Sequence, residues 1–408
     1  MKASSRQPRR SRPSFSVTTI VRNEGPRLPR LLESLAGFRV LGGEVVVLDT
    51  GSEDETVSVA REAGCVVTRA PRRFHGTLTQ GQAERIHQAF SRCGEGPFLR
   101  SGERLFNFAA ARNHAASLGR HAYELAVDGT DVVDALDLDF VEAAIKSGSP
   151  QVLRFETRRR HGARFMIELR DYFHDRRTTE WFGRAHNVVT GLERKPLIRT
   201  TLLPPDRLRV THHTDEAKPR GYQLAGVALD ALSRPRDPYR SFLVGRELGV
   251  RGHHASALAL FLALDRADVP AVLRSAALCM AATCVAAKLS GGASAGDDAQ
   301  DEVRDLWFKA SVRDPSRRDP LLHLARHALS RGDHQAAASF ATAALAIPPR
   351  VGFSEPEANL REAPHAILYW ALLWLGRRSE ARSHYEICRR LDPSNPTYEG
   401  HAQLFYWV

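Results

Sequence analysis

The apolar positions change their period along the chain. Phe15–Val21 is a β-branched run that stops at Arg22, Asn23, Glu24, Gly25 and Pro26, which predicts a strand feeding a loop. Leu28, Leu31, Leu32 and Leu35 then recur at i, i+3, i+4 and i+7, the apolar face of a helix ending near Gly37. Residues 44–48 are almost continuous valine, the pattern of a strand covered on both faces of a parallel sheet, and the run ends in Asp49. Ser52, with Glu55 three residues on, reads as a capping box that opens a second helix through Val57, Val59, Ala60 and Ala63. Gly64 stops that helix, and Cys65, Val66 and Val67 form a third strand. The basic, irregular stretch over residues 69–104 reads as a surface excursion with a helix near residues 83–90. A third helix from about residue 106 to Leu118 leads to a fourth strand, Leu125 to Val127, which ends in Asp128.

This alternation predicts a doubly wound, mostly parallel sheet with helices on both faces. Ligands of such sheets bind at the carboxyl ends of the strands. Asn23 and Glu24, Asp49, and Asp128 with Asp131 stand at those ends. Any one of them is as well explained as a turn residue or cap, but three of four strands delivering acids or amides to one rim favours a ligand site.

From about Asp237 the strand signals vanish and Ala and Leu dominate. Gly252, Gly332 and Gly376 each sit between two apolar helices with an alanine five residues on, at Ala257, Ala337 and Ala381. The wider first interval leaves room for one more unit, split by the Gly/Ser/Asp-rich insert at residues 290–298. Helix pairs of this kind stack into a solenoid and resemble tetratricopeptide repeats. Cys279 and Cys284 on an Ala-rich stretch read as buried small hydrophobes.

Composition narrows the classes. The 408 residues are 43% apolar and 26% charged, enough for ordinary globular cores, so disordered and collagen-like chains are excluded. The net charge of +11 is local: Lys2, Arg6, Arg9, Arg10 and Arg12 have no acid among them, and residues 154–220 hold 16 Lys or Arg against 9 acids. Such patches can steer nucleic acid or phosphorylated ligands, although Arg158, Arg159 and Arg160 equally suit a solvated face. Five cysteines without a C-x-x-C pair suggest neither a disulfide framework nor a zinc site, and a reducing, cytoplasmic setting is expected. Uninterrupted apolar runs reach about half the length of a membrane span, so no transmembrane segment is expected.

Three blocks are more specific. Residues 17–24 (VTTIVRNE), 45–52 (VVVLDTGS) with Asp54 and Thr56, and 108–113 (FAAARN) resemble successive blocks of glycosyltransferase family 2, in the branch where a GT-A catalytic domain precedes tetratricopeptide repeats. The resemblance implies a GT-A domain over 15–220 and a helical-repeat domain over 221–408, preceded by residues 1–14, which their charge marks as a basic disordered tail. It also implies a nucleotide-sugar donor, a UDP-sugar first, held by Thr18, Thr19, Asn23, Glu24, Asp49, Gly51, Ser52, Arg112, Asn113 and Asp128. Asp128 matches the first acid of the family's D-x-D motif, so Asp128, Asp131 and His212 become candidate ligands for Mn²⁺ or Mg²⁺.

The pattern departs from the family at Thr130, which replaces the second acid, at Asn107, and at Asn187, where the family places the acid of its G-x-x-H-E block. An inverting displacement calls for a general base; His186 is the first candidate, with Asp171 and Glu180 behind it. The expected activity is hexosyl transfer to a macromolecule: a protein or peptide, a glycan, or a nucleic acid carrying a modified base. The departures leave open an inactive GT-A scaffold that only binds. A dinucleotide-dependent oxidoreductase is disfavoured, because no G-x-G-x-x-G follows the first strand.

Overall fold

The computed structural model describes residues 12–92, 94–161, 164–214, 222–290, 297–349 and 355–406. Residues 1–11 of the expected basic tail, Cys93, most of the Gly/Ser/Asp-rich insert and the expected boundary at 220/221 lie outside the described residues. The chain divides into two compact units. One holds the chain up to Leu78 together with Glu103–Gly226; the other holds Thr79–Gly102 and Val227–Val408.

In the first unit β1 (Phe15–Val21), β2 (Glu44–Asp49) and β3 (Val66–Arg69) alternate with α1 (Leu28–Ser34), α2 (Ala36–Val40) and α3 (Thr56–Glu62). β4 (His75–Thr77) and β5 (Arg104–Phe106) form a small antiparallel pair on either side of the excursion that carries α4 (Gln80–Phe90). Then come α5 (Phe108–Leu118), β6 (Tyr123–Asp128), β7 (Asp131–Leu136), α6 (Leu138–Gly148), β8 (Val152–His161), β9 (Arg164–Asp175), β10 (Thr179–Phe182), β11 (Val188–Gly191), β12 (Thr200–Leu202) and β13 (Leu208–His213).

The main sheet runs in the order β3-β2-β1-β6-β9-β8-β13-β7. From β3 to β6 every pairing is parallel, and this is the doubly wound part that the alternation predicts. Beyond β6 the sheet is mixed: β9 runs antiparallel to β6 and β8, β13 parallel to β8 and antiparallel to β7. The valine run of β2 is buried on both faces as expected, with Val46, Val47 and Leu48 fully covered. Phe15, Val17 and Val21 of β1 join Leu28, Leu31, Leu32 and Leu35 of α1 in one core. In register, Val21 lies opposite Asp49 and Ile20 opposite Asp128, which brings the ends of three strands to one rim.

Two local expectations change. The second helix starts at Thr56 rather than at Ser52: Ser52 Oγ instead accepts the Asn23 N–H at 2.9 Å, and Asp54 accepts from the Thr56 amide. A hydroxyl that can tie two loops together is thereby removed from the cap. The third helix starts at Phe108, capped by Asn107, whose Oδ1 accepts the Ala110 N–H at 3.0 Å.

The second unit is a series of helix pairs. After α7 (Tyr222–Ser233) come α8 (Pro238–Val250) with α9 (His254–Arg266), α10 (Ala271–Ser290) with α11 (Asp297–Arg313), α12 (Asp319–Ser330) with α13 (His334–Ala346), and, after α14 (Glu357–Leu360), α15 (Glu362–Trp374) with α16 (Arg378–Leu391). Gly252, Gly332 and Gly376 turn three of the pairs with φ of 84°, 75° and 71°, a left-handed conformation that glycine adopts without strain. Fully buried alanines, Ala325, Ala337, Ala341, Ala371 and Ala381 among them, let the helices approach closely. The expectation about apolar runs needs amending at Ala271–Leu289, 19 residues of mean hydropathy 1.5 that meet the length and composition of a membrane span. In this structure Ala277, Leu278, Ala281, Ala282 and Val285 of that helix are buried within the unit.

The excursion belongs to this unit. Its helix α4 buries Ala83, Ile86 and Phe90, and the Glu95 carboxylate accepts the Ala255 and Ser256 amides at 2.9 Å each, capping α9. Burial pushes the Glu95 carboxyl up, and those hydrogen bonds bring it below its ordinary value.

Candidate active site

The rim holds one dense cluster of charged groups. Asp128 ends β6 and Asp131 opens β7, and the Asp128 N–H donates to Asp131 Oδ2 at 2.8 Å, which folds the two acids toward each other. His212 of β13, in register with Asp131, donates or accepts through Nδ1 at 2.7 Å from Asp131 Oδ1 and lies 3.5 Å from Asp128 Oδ2. Ligand atoms of Asp128, Asp131 and His212 all lie within 4.8 Å of one another.

Two buried guanidinium groups face these acids. Arg112 of α5 donates to Asp128 Oδ1 at 2.6 Å. It lies over the rings of Tyr172 and Trp181, at 4.9 and 4.7 Å from their centroids. Its Nε has no hydrogen-bond partner among the described residues. Arg170 of β9 lies 3.8 Å from Asp128 Oδ2 and 3.7 Å from Asp131 Oδ2, and it also pairs with Glu168 at 3.1 Å. Burial pushes the Asp128 carboxyl up, but Arg112, His212 and Arg170 outweigh it and hold that carboxyl well below the ordinary range. Burial lowers Arg170, and Tyr172, Asp131 and Asp128 more than restore it, so its value lies above normal.

Beneath Arg112 lies a second buried network. Trp181 Nε1 donates to Glu124 Oε1 at 2.9 Å, Thr18 Oγ1 donates to Glu124 Oε2 at 3.1 Å, and His174 Nε2 lies 2.7 Å from Glu124 Oε1. Burial raises the Glu124 carboxyl, and His174, Trp181 and Thr18 together bring it below its ordinary value.

The residues expected to bind the donor separate into groups. Asp128 and Arg112 are joined at the cluster. Asn23, Gly51 and Ser52 meet at the neighbouring loop: Asn23 has φ of 53°, its Oδ1 accepts the Glu53 N–H at 2.9 Å, and its own N–H reaches Ser52. Asp49 is fully buried, with Oδ1 accepting the Ser52 N–H and Oδ2 paired with Arg69 at 3.1 Å. Glu24 is buried beside the turn, its side chain 3.0 Å from where a Cβ on Gly129 would stand. Thr18 and Thr19 lie inside the sheet rather than at its rim, and Thr18 serves Glu124. Asn113 is bonded through both side-chain atoms to the Trp181 backbone, at 2.8 and 2.9 Å.

The three candidate bases are not among the residues joined at the cluster in the bonds given above. Asp171 is held in a two-pronged pair with Arg154, at 2.5 and 2.9 Å, and as the neighbour of Arg170 on β9 it points to the opposite face from the acids. Glu180 likewise alternates with Trp181 on β10. His186 sits in the turn between β10 and β11 with φ of 48°. Arg170, Glu168, Tyr172, Trp181 and Glu124 escape the sequence reading. The one signal for them is the period-two series Glu168, Arg170, Tyr172, His174, which puts four polar or aromatic groups on one face of a strand.

In open α/β sheets, ligands bind outside the carboxyl ends of the strands, and the acid cluster stands at such ends here. Residues 16–84, which span β1 to the start of α4, match the family model for glycosyl transferase family 2. That stretch of the chain is thus similar to family 2 glycosyltransferases, and the second unit is a stack of helix pairs. Among solved structures, S. aureus TarS 1-349 in complex with UDP-GlcNAc is similar at 14% identity over 94% of this chain and 92% of that one, with a TM-score of 0.35. The thermophilic TPR protein TTC0263 of Thermus thermophilus is similar at 15% identity over 46% of this chain and 90% of its own, with a TM-score of 0.34.

Proposed function

We propose that the first unit transfers a sugar from a nucleotide-sugar donor, a UDP-sugar first, to a macromolecular acceptor. The observation that carries this reading is the cluster of Asp128, Asp131, His212, Arg112 and Arg170, at the end of the strand β6 that pairs with β1 of the segment matching family 2. The nucleoside would lie along the ends of β1 and β2, by Asn23, Glu24, Gly51 and Ser52, with Asp49 shared between the base and Arg69. Arg112, fixed by two rings and with its Nε–H unpaired, suits a diphosphate oxygen.

Two carboxylates and an imidazole within 4.8 Å are a hard, mixed O/N donor set of the kind that suits Mn²⁺ or Mg²⁺. A cation held by Asp128, Asp131 and His212 would supply charge neutralisation for the departing diphosphate. Arg112 and Arg170 already balance the two acids, so affinity for that cation should be modest. Arg112 and Arg170 would also orient Asp128 through the displacement, and the buried Trp181 ring excludes water from that side. For inversion at the anomeric carbon, His186 remains our candidate base.

The helix pairs of the second unit support a protein or peptide acceptor. The nucleic-acid alternative is weakened because Arg154, Arg158 and Arg159 are already paired with Asp171, Glu156 and Glu168. Four free cysteines among the described residues fit a reducing compartment.

The test is release of free nucleotide from UDP-, GDP- and TDP-sugars by the full chain and by Asp128→Ala. Turnover that Asp128→Ala abolishes supports the reading. Saturation of Asp128 by Arg112 and Arg170, with Thr130 and Asn187 in place of acids, favours a second reading, a binding scaffold. Donor binding without turnover of any donor at high enzyme concentration would establish that reading instead.

A further inference from the structure

A separate recess opens beside the turn that joins β6 to β7. Arg27, Arg30, Thr130, His213 and Thr214 line a cleft of about 190 Å³. His212 and His213 are consecutive on β13 and therefore point to opposite faces. His212 meets Asp131, whereas His213 Nε2 meets Arg30 Nη2 at 3.3 Å. Arg30 and His213 have no carboxylate within ion-pair distance among the described residues, whereas Arg27 pairs with Glu24 at 3.5 Å. The Thr214 hydroxyl is buried and has no partner among the described residues.

The wall therefore offers the Arg30 guanidinium fork, a second guanidinium on Arg27 that it shares with Glu24, an imidazole and two hydroxyls. That set recognises an oxyanion: the planar fork matches the oxygens of a phosphate, and hydroxyls complete the shell. Size decides between ligands, since a pocket for a nucleotide-sized molecule runs from about 300 Å³ upward and this cleft is smaller. We propose that the cleft binds a single phosphate group, as a phosphomonoester or phosphodiester, at a subsite separate from the acid cluster. Binding there does not depend on the transferase reading. If that reading holds, Thr130 places a phosphate-bearing acceptor one residue from Asp131.

The experiment is a titration of the full chain in chloride buffer with inorganic phosphate and, in parallel, with methyl phosphate, dimethyl phosphate and UDP, followed by calorimetry or phosphorus NMR. Saturable phosphate binding at one site is expected. Arg30→Ala should weaken it about tenfold or more and Thr214→Val about fivefold, with Arg30→Lys recovering part of the loss. UDP affinity should be unchanged in Arg30→Ala, and phosphate affinity unchanged in Asp128→Asn. Circular dichroism melts check that each variant folds. Equal binding of dimethyl phosphate would mark a phosphodiester, binding of methyl phosphate but not of dimethyl phosphate a phosphomonoester, and binding of inorganic phosphate with neither ester would overturn the ester assignment. The proposal is overturned by absence of saturable phosphate binding, by binding indifferent to both substitutions, or by competition between phosphate and UDP. Loss of UDP binding with Arg30-dependent phosphate binding intact would remove the transferase reading and leave this one standing.

Discussion

The Arg112–Asp128 pair allows a worked test of how the cluster is held. Arg112→Met keeps an unbranched, polarizable side chain between Tyr172 and Trp181 and removes the guanidinium. The hydrogen bond lost is short, 2.6 Å, and between charged groups, with the Arg112 side chain only 6% exposed; such a bond contributes about 1.5–3 kcal/mol. Contacts of a cation with two rings add about 1 kcal/mol, part of which the thioether restores. Removing one partner of a buried pair outright costs about 3–5 kcal/mol. Asp128 keeps Arg170 at 3.8 Å and His212 at 3.5 Å, which lowers that figure. The expected loss at neutral pH is therefore about 2–3 kcal/mol of first-unit stability.

The assay is urea unfolding of wild type, Arg112→Met, Asp128→Asn and the double variant. Asp128→Asn removes the acceptor charge, so the pair should show a coupling of about 1.5–3 kcal/mol in the double-mutant cycle. The pH dependence has a definite sign. The folded Asp128 carboxyl lies below its unfolded value, so its contribution is complete above about pH 4 and is lost as pH falls through the folded value. The gap between wild type and Arg112→Met should therefore shrink in acid. Additivity within about 0.5 kcal/mol, or a gap that widens below pH 4, would refute the reasoning.

Four further outcomes are expected. Gly51→Ala forces a φ of 114° on a residue with a Cβ, 3.2 Å from the Pro71 carbonyl oxygen, and should cost about 1–3 kcal/mol by thermal melt, whereas a change below about 0.5 kcal/mol would contradict the strain argument. Glu124→Gln should flatten the acid limb of stability against pH by up to about one proton, because the wild-type carboxyl is held low by His174, Trp181 and Thr18; an unchanged slope in parallel urea titrations would deny the network its charge. His212→Asn should weaken Mn²⁺ binding about 10–100-fold by electron paramagnetic resonance. Arg170→Gln, which removes a cation 3.7–3.8 Å from both acids, should strengthen it; the reverse order would place the metal elsewhere.

What the residues reveal in advance follows the range of the forces involved. The parallel half is legible because Val45 to Leu48 and Leu28 to Leu35 declare their burial by period alone, and strand ends announce the rim through Asn23, Asp49 and Asp128. The left-handed glycines of the helix pairs are legible for the same local reason. Arg170 is not: it lies in the basic stretch 154–220, where one more arginine looks like surface charge, yet it is 6% exposed. Its burial depends on β9 pairing with β6 across a long crossover, a register that no local pattern encodes. Asp171 shows the converse, since a one-residue step along the strand from Arg170 takes its carboxylate to the other face, into a pair with Arg154. Ser52 reads as a cap but answers to Asn23, a contact 29 residues away in sequence.

The chain passes between the two units three times, at Leu78, Gly102 and Gly226. A ribosome therefore delivers α4 before the first unit has its β6, and α4 must wait until α9 is made for the partners of its Glu95 segment. Neither unit can be prepared by a single cut. A fragment ending near residue 220 would carry Ala83, Ile86 and Phe90 without the repeats they belong to, and a fragment starting there would leave the first turn of α9 without its carboxylate cap. Joining Leu78 to Glu103, whose backbones already bond at 2.8 Å, is the cut that keeps the first unit whole.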